Sequence, residues 1–393
     1  MAVTAVAAHS AATPVSATRI SSLDIVRGAV MVLMAIDHVR VYSGVPPGGP
    51  TAGIFFTRWI THFCAPAFVF LAGTAAYLQA RKLGETREVA KYLTTRGLLL
   101  VVLELTLIRA SWTFGVDYSE FILAGVIWML GWCMILLAGL VWLPTTIIAA
   151  FGLVLMLVQN VFSPVGSALP GSLQPIWEFI YPAGAEVRLG QNGPTIAVLY
   201  TIVPWIGVMA AGYGFGAIMT REPAERRRLC LRIGLLATAL FLLFAGVQVF
   251  LRPAAEDAPP ALIRLLNQTK YPASQLFLLM TLGPTIAFLA LAERTRGWLA
   301  DVLATFGRVP MFYYLLHIPL IHATALMVWM VRDGTAHAER FATAPYVSIP
   351  PGDRWSLALL YLVFFLVVAA LYPLCRWYGR VKAVSRSGWL RYI

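Results

Sequence analysis

Ionisable side chains set inside long apolar runs are costly in a membrane and by default mark a functional position. This sequence concentrates them in residues 21–43, where Asp24, Arg27, Asp37, His38 and Arg40 interrupt a run of Val, Leu, Ile, Met and Ala. Arg27 and His38 are eleven residues apart. That is close to three helical turns, so the two share one face about 16 Å apart along the axis. Met31 and Met34 lie on the same stripe. A cation at one end, a soft apolar middle and an imidazole at the other would line a tunnel for a ligand with an anionic head and a long thin arm. Acyl-coenzyme A has that shape, with phosphates at one end and a thioester at the tip. His38 would then act as a general base, or would itself take the acyl group. Asp24 can pair with Arg27 at i,i+3, and Ser21 or Ser22 is placed to cap the helix.

Other groups fall at matching depth. Glu104 lies about 20 Å from the start of its helix, level with His38, and Arg96 is level with Arg27. Asp37 or Glu104 would fix the His38 tautomer. Asp37 points about 100° away round the helix, which makes Glu104 the better geometric candidate. His317 and His322 sit in one apolar run, and His62 precedes Pro66 in another. Each of these three histidines reads either as a substrate contact or as a hydrogen-bonded packing residue. A metal site built from His38, His62, His322 and Glu104 lacks the HxxxH or ExxH spacing that would support it, so no metal is expected.

The elements that must hold these groups follow from composition. Hydrophobic residues make up 59% of the 393 and charged residues only 12%, about half the share of a soluble chain. The expected fold is therefore an all-α polytopic membrane protein. Four cysteines without CxxC spacing exclude a disulfide scaffold or a zinc module. Helical spans are expected over 23–43, 58–80, 91–110, 120–141, 145–162, 195–219, 230–251, 273–292, 308–331 and 355–376, the second broken near Pro66. With ten spans and both termini cytoplasmic, two thirds of the 30 Lys and Arg fall inside, while most of the 18 acidic residues fall outside. This is the positive-inside pattern, so the net charge of +12 reflects topology and lipid headgroups, and nucleic acid is not a partner. Residues 1–20 read as a disordered tail, 21–380 as the transmembrane domain and 381–393 as a basic cytoplasmic tail. Small-residue faces in the sixth span allow a homodimer. A proton-coupled transporter, using the same buried ionisable groups as a relay and Pro66, Pro204 and Pro319 as helix breaks, is the competing reading.

Several motifs carry a more specific likeness. Ser22-Leu23-Asp24-Ile25-Val26-Arg27-Gly28, followed by an apolar run ending in Asp37-His38, resembles the opening of transmembrane acyltransferases. Phe63-Cys64-Ala65-Pro66-Ala67-Phe68-Val69-Phe70-Leu71-Ala72-Gly73 resembles the heparan-alpha-glucosaminide N-acetyltransferase catalytic-domain family. Thr94-Thr95-Arg96-Gly97, Val203-Pro204-Trp205-Ile206-Gly207 and Tyr314-Leu315-Leu316-His317 add to the likeness. The resemblance implies a bacterial-type member without a luminal domain, multi-pass in the inner (plasma) membrane. It implies transfer of an acetyl group from cytoplasmic acetyl-CoA to an extracytoplasmic sugar-like acceptor. Arg27 and Arg96 would then contact coenzyme A phosphates, with Asp24, Met31 and Met34 beside them. His38 would be the acyl-transfer base or nucleophile, and His317 would match a polar position facing the site.

Overall fold

The computed structural model of the chain describes residues 20–48, 51–181, 184–252 and 256–385. The expected N-terminal tail, apart from Ile20, lies outside the described residues, as do residues 386–393 of the expected basic tail. The principal helices are α1 (Ser21–Ser43), α2 (Ala52–Leu83), α3 (Thr86–Leu103), α4 (Val126–Leu140), α5 (Thr145–Phe162), α6 (Trp205–Met219), α7 (Pro223–Leu251), α8 (Gln275–Ala292), α9 (Trp298–Arg308), α10 (Pro310–Asp333) and α11 (Leu357–Val384). Six of them, α2, α5, α7, α8, α10 and α11, are long and apolar enough to cross a membrane, while α4 and α6 are apolar but shorter. Together they make an all-α membrane protein. A helix satisfies its own backbone groups, which hydrocarbon demands. Leu235, Leu236, Leu242, Leu243 and Phe250 of α7 and Leu362, Phe365 and Leu366 of α11 are exposed, as on a lipid-facing surface.

The interior is organised round α1, which packs against α2, α8, α9, α10 and α11. Its closest neighbour is α9, because two glycines meet at the crossing. A Cβ on Gly28 would lie 1.8 Å from the Leu303 carbonyl oxygen, and one on Gly307 would lie 1.8 Å from that of Asp24. A second crossing joins α2 to α6 in the same way, with Gly73 against the Met209 carbonyl and Gly212 against that of Phe70. Gly28 and Gly73 both belong to the motifs named above.

Several boundaries differ from those expected. Ser21 and Ser22 do not cap α1: Ile20 is the N-cap residue and makes no side-chain bond, and the Ser22 hydroxyl is buried without a partner among the described residues. The break in α2 is a 3₁₀ turn, Ile60–Phe63, and Pro66 falls in the first turn after it, where its missing N–H is tolerated. The fourth and sixth expected spans each begin in a strand rather than in helix. β1 (Phe121–Ala124) pairs parallel with β3 (Thr195–Val198), and β2 (Ala185–Arg188) pairs antiparallel with β3. Four apolar residues at the start of an apolar helix carry no periodicity that separates strand from helix. Helix α9 lies in an expected loop, and α11 runs on to Val384.

Gly28→Ala should lower the unfolding temperature of the detergent-solubilised protein, because the added methyl meets backbone, a strain of about 1–3 kcal/mol. Gly246→Ala, where nothing lies within 4 Å, should not. Circular-dichroism melts of the two variants make the comparison.

Candidate functional site

His38 lies in the penultimate turns of α1, held by two anchors on the same helix. Asp37 accepts from Arg40 Nε at 3.0 Å and from Arg58 Nη1 at 3.3 Å, and the same Arg58 nitrogen donates to Thr61 at 3.1 Å. One turn further on, the Tyr42 hydroxyl donates to the Trp112 carbonyl at 2.6 Å. Trp112 stands edge-on to His38, with ring centroids 4.8 Å apart. It reaches this position because the helix begun by α3 passes through a wider π turn at Glu104–Ile108 before Arg109–Thr113.

The decisive contact is with α10. His38 Nδ1 lies 2.7 Å from His317 Nε2. His317 is fully buried, and its Nδ1 lies 2.7 Å from the Tyr314 carbonyl and 3.2 Å from that of Tyr313. A carbonyl can only accept, so the His317 proton is on Nδ1 and the Nε2 of the neutral ring is a lone pair. His38 must then donate from Nδ1. Its Nε2 is left as a bare nitrogen on a ring that is only partly buried. The arrangement makes His38 Nε2 a proton acceptor or nucleophile of set direction.

The other expected site residues are placed as follows. Asp24 and Arg27 pair at 3.6 Å, Arg308 lies 4.0 Å from the second Asp24 oxygen, and Arg27 also donates to the Gly307 carbonyl at 3.2 Å. Met31 and Met34 are 1% and 4% exposed, so the expected tunnel face is packed against neighbouring helices. Arg96 donates to the Tyr92 hydroxyl on its own helix. Glu104 turns toward α4 rather than His38: its Oε2 accepts from the Ile127 and Trp128 N–H groups at 2.9 and 3.3 Å. The carboxylate presses on Gly125, where a Cβ would come within 2.5 Å of it. It therefore satisfies the start of a buried helix. His322 stacks on Phe114 at 3.9 Å, with Nδ1 3.3 Å from the Ser111 carbonyl. His62 packs edge-on to Phe277. His62 Nδ1 and His322 Nε2 are buried without partners among the described residues. No group of three or more His, Cys, Asp or Glu among the described residues could hold a metal ion.

Further polar residues gather near Asp37 and His38 that the sequence pattern does not single out. Arg58, Tyr200, Lys270 and Tyr271 belong to this cluster: the Tyr271 hydroxyl donates to that of Tyr200 at 3.3 Å and is bonded to Arg58. Burial pushes the Tyr271 phenol up, but Lys270 and Arg58, with the Tyr200 hydroxyl, hold it below the ordinary tyrosine range. Arg109 is buried and spends its guanidinium on the carbonyls of Gly115, Asp117 and Phe121. Arg109 could have been found by the rule that singled out Glu104, since it interrupts the same apolar run. Lys270 lies in a polar loop and carries no such signal.

The catalytic-domain model of heparan-alpha-glucosaminide N-acetyltransferase matches residues 19–248. That stretch contains Arg27, His38, His62, Arg96 and Glu104, whereas His317, His322 and Lys270 lie beyond it. No curated protein matches the chain.

Two measurements check this geometry. In ¹⁵N-histidine spectra, His38 should show a protonated Nδ1 and a bare Nε2, and His317→Phe should abolish that preference. Glu104→Ala should destabilise the fold, each buried N–H left unpaired costing about 1–3 kcal/mol, while Glu104→Gln should retain most of the stability in the same denaturation assay.

Proposed function

Because the chain belongs to the heparan-alpha-glucosaminide N-acetyltransferase catalytic family, we propose that it moves an acetyl group from cytoplasmic acetyl-CoA to an extracytoplasmic acceptor, an amino sugar or glycan. The observation that carries the proposal is the hydrogen bond between His38 and His317, which leaves His38 Nε2 free to take a proton. In this reading, the acceptor nitrogen or oxygen bonds to the thioester carbonyl carbon as its proton passes to His38 Nε2. The C–S bond then breaks, and the departing sulfur takes that proton from His38. The imidazolium formed between these steps is favoured by the lone pair of His317 and by the Asp37 carboxylate beside it.

At the other end of α1, Arg27 and Arg96 would meet the coenzyme A phosphates, and Asp24 would position Arg27. A phosphate is a stronger acceptor for Arg27 than the Gly307 carbonyl it now holds. The donor arm would run past Met31 and Met34. Both are buried, so admitting the arm requires α1 to part from a neighbour. His62, His317 and His322 stand nearest the acceptor side in this reading. The ten-span topology with both termini cytoplasmic, proposed from the charge distribution, puts Arg27 on the side where acetyl-CoA is available.

His38→Ala should cut acetyl transfer by about 100- to 10,000-fold, the usual worth of a general base, and leave acetyl-CoA binding intact. Radiolabelled acetyl-CoA retained by the purified protein, competed by unlabelled coenzyme A, measures the binding. Full activity in the variant would remove His38 from the role, and no saturable retention by the native protein would remove the donor.

A further inference from the structure

Lys270 presents a charge for which the acetyl-transfer steps have no use. Its backbone is fixed: Lys270 and Ala273 form a bridge, the Ser274 N–H donates to the Thr269 carbonyl at 2.9 Å, and the Ala273 carbonyl accepts from Gln159 Nε2 at 2.8 Å. The residue is 7% exposed. Its ammonium lies 5.1 Å from the ring centre of Tyr271 and 5.6 Å from that of Tyr200. It makes no hydrogen bond or ion pair among the described residues. Ring faces recover only part of what a buried ammonium loses by leaving water.

The surroundings do not neutralise it. The charged groups close enough to act on both His38 and His62 are Asp37, Lys270, Arg40 and Arg58, three cations against one carboxylate. Asp37 is already bonded to Arg40 and Arg58, so the Lys270 charge is left over. A buried, rigid and unpaired ammonium beside two tyrosines whose hydroxyls meet, one of them bonded to the Arg58 guanidinium, is suited to an incoming oxyanion.

We propose that Lys270, with Arg58 and the hydroxyls of Tyr200 and Tyr271, forms an oxyanion-binding subsite beside His38 that takes a carboxylate, sulfate or phosphate group carried by the acceptor. The part of this that concerns the acceptor rests on the acetyl-transfer reading. The subsite selects molecules in which an acidic group lies close to the amine or hydroxyl to be modified, and discriminates against neutral sugars, which leave the ammonium unpaired.

The test is thermal unfolding of the full chain in phosphatidylcholine nanodiscs at low salt, titrated with glucuronate, glucosamine 6-sulfate, glucose 6-phosphate and, as the neutral control, glucose. At least one acidic sugar should raise the unfolding temperature saturably where glucose does not. Lys270→Met should weaken that response at least tenfold in concentration, and Lys270→Arg should keep it. Lys270→Met removes an unpaired buried charge, so it should fold at least as stably as the native protein. Equal responses to glucose and all three acidic sugars, or an undiminished response in Lys270→Met, would overturn the proposal. A lipid headgroup is the other source of the same chemistry. Lys270-dependent stabilisation on exchange into phosphatidylglycerol, with no response to any acidic sugar, would overturn the assignment to the acceptor. Labelled acetyl-CoA retention is measured separately. A sugar response without retention removes the donor and leaves the subsite, and retention without a sugar response does the reverse.

Discussion

The set direction of His38 depends on two peptide carbonyls in one turn of α10. The Tyr314 oxygen, with that of Tyr313 farther off, decides which nitrogen of His317 bears the proton, and His317 in turn decides which nitrogen of His38 does. The backbone of α10 thus dictates the chemistry of a side chain on α1 through two rings in series. The order is inflexible because the ring in the middle is fully buried, so no water competes for its nitrogens. The remaining contacts serve the same end from different sides. Trp112 limits the tilt of the His38 ring, Tyr42 fastens α1 to the helix that carries Trp112, and Asp37 is occupied by two arginines and so does not take the Nδ1 proton.

The helix content, the break before Pro66 and the face shared by Arg27 and His38 were legible in the sequence, because apolar runs and the 3.6-residue period act locally. The partner of His38 was not. His317 is 279 positions away, and depth in a membrane helix says nothing about which helices are neighbours. Glu104 illustrates the limit: it lies at the right level and is a carboxylate, yet it turns toward the start of α4, where N–H groups need an acceptor. Rotation about the helix axis decided between these uses, and a π turn beginning at Glu104 itself makes that rotation unreadable from spacing. The short strands were hidden for a different reason, since β1 and β3 pair across 70 residues of intervening chain within stretches as apolar as the helices that follow them.

The distribution of charge along α1 has its own logic. At the Arg27 end each charge has a partner of opposite sign close by, with Asp24 between Arg27 and Arg308. At the His38 end cations exceed carboxylates. The helix therefore has one cation to spare at the Arg27 end and two at the His38 end. Lys270 supplies the second of these two from a loop rather than from a helix, which leaves the spans free of a further charge.

The crossing of Gly28 and Gly307 bears on how such a molecule can admit anything long. Contacts between side chains yield by rotamer changes, a few tenths of an ångström at a time. Here peptide group meets peptide group, and neither surface has a torsion with which to give way. Such a joint cannot loosen by small side-chain adjustments, and the Arg27 guanidinium bonded to the Gly307 carbonyl ties the two helices at the same point.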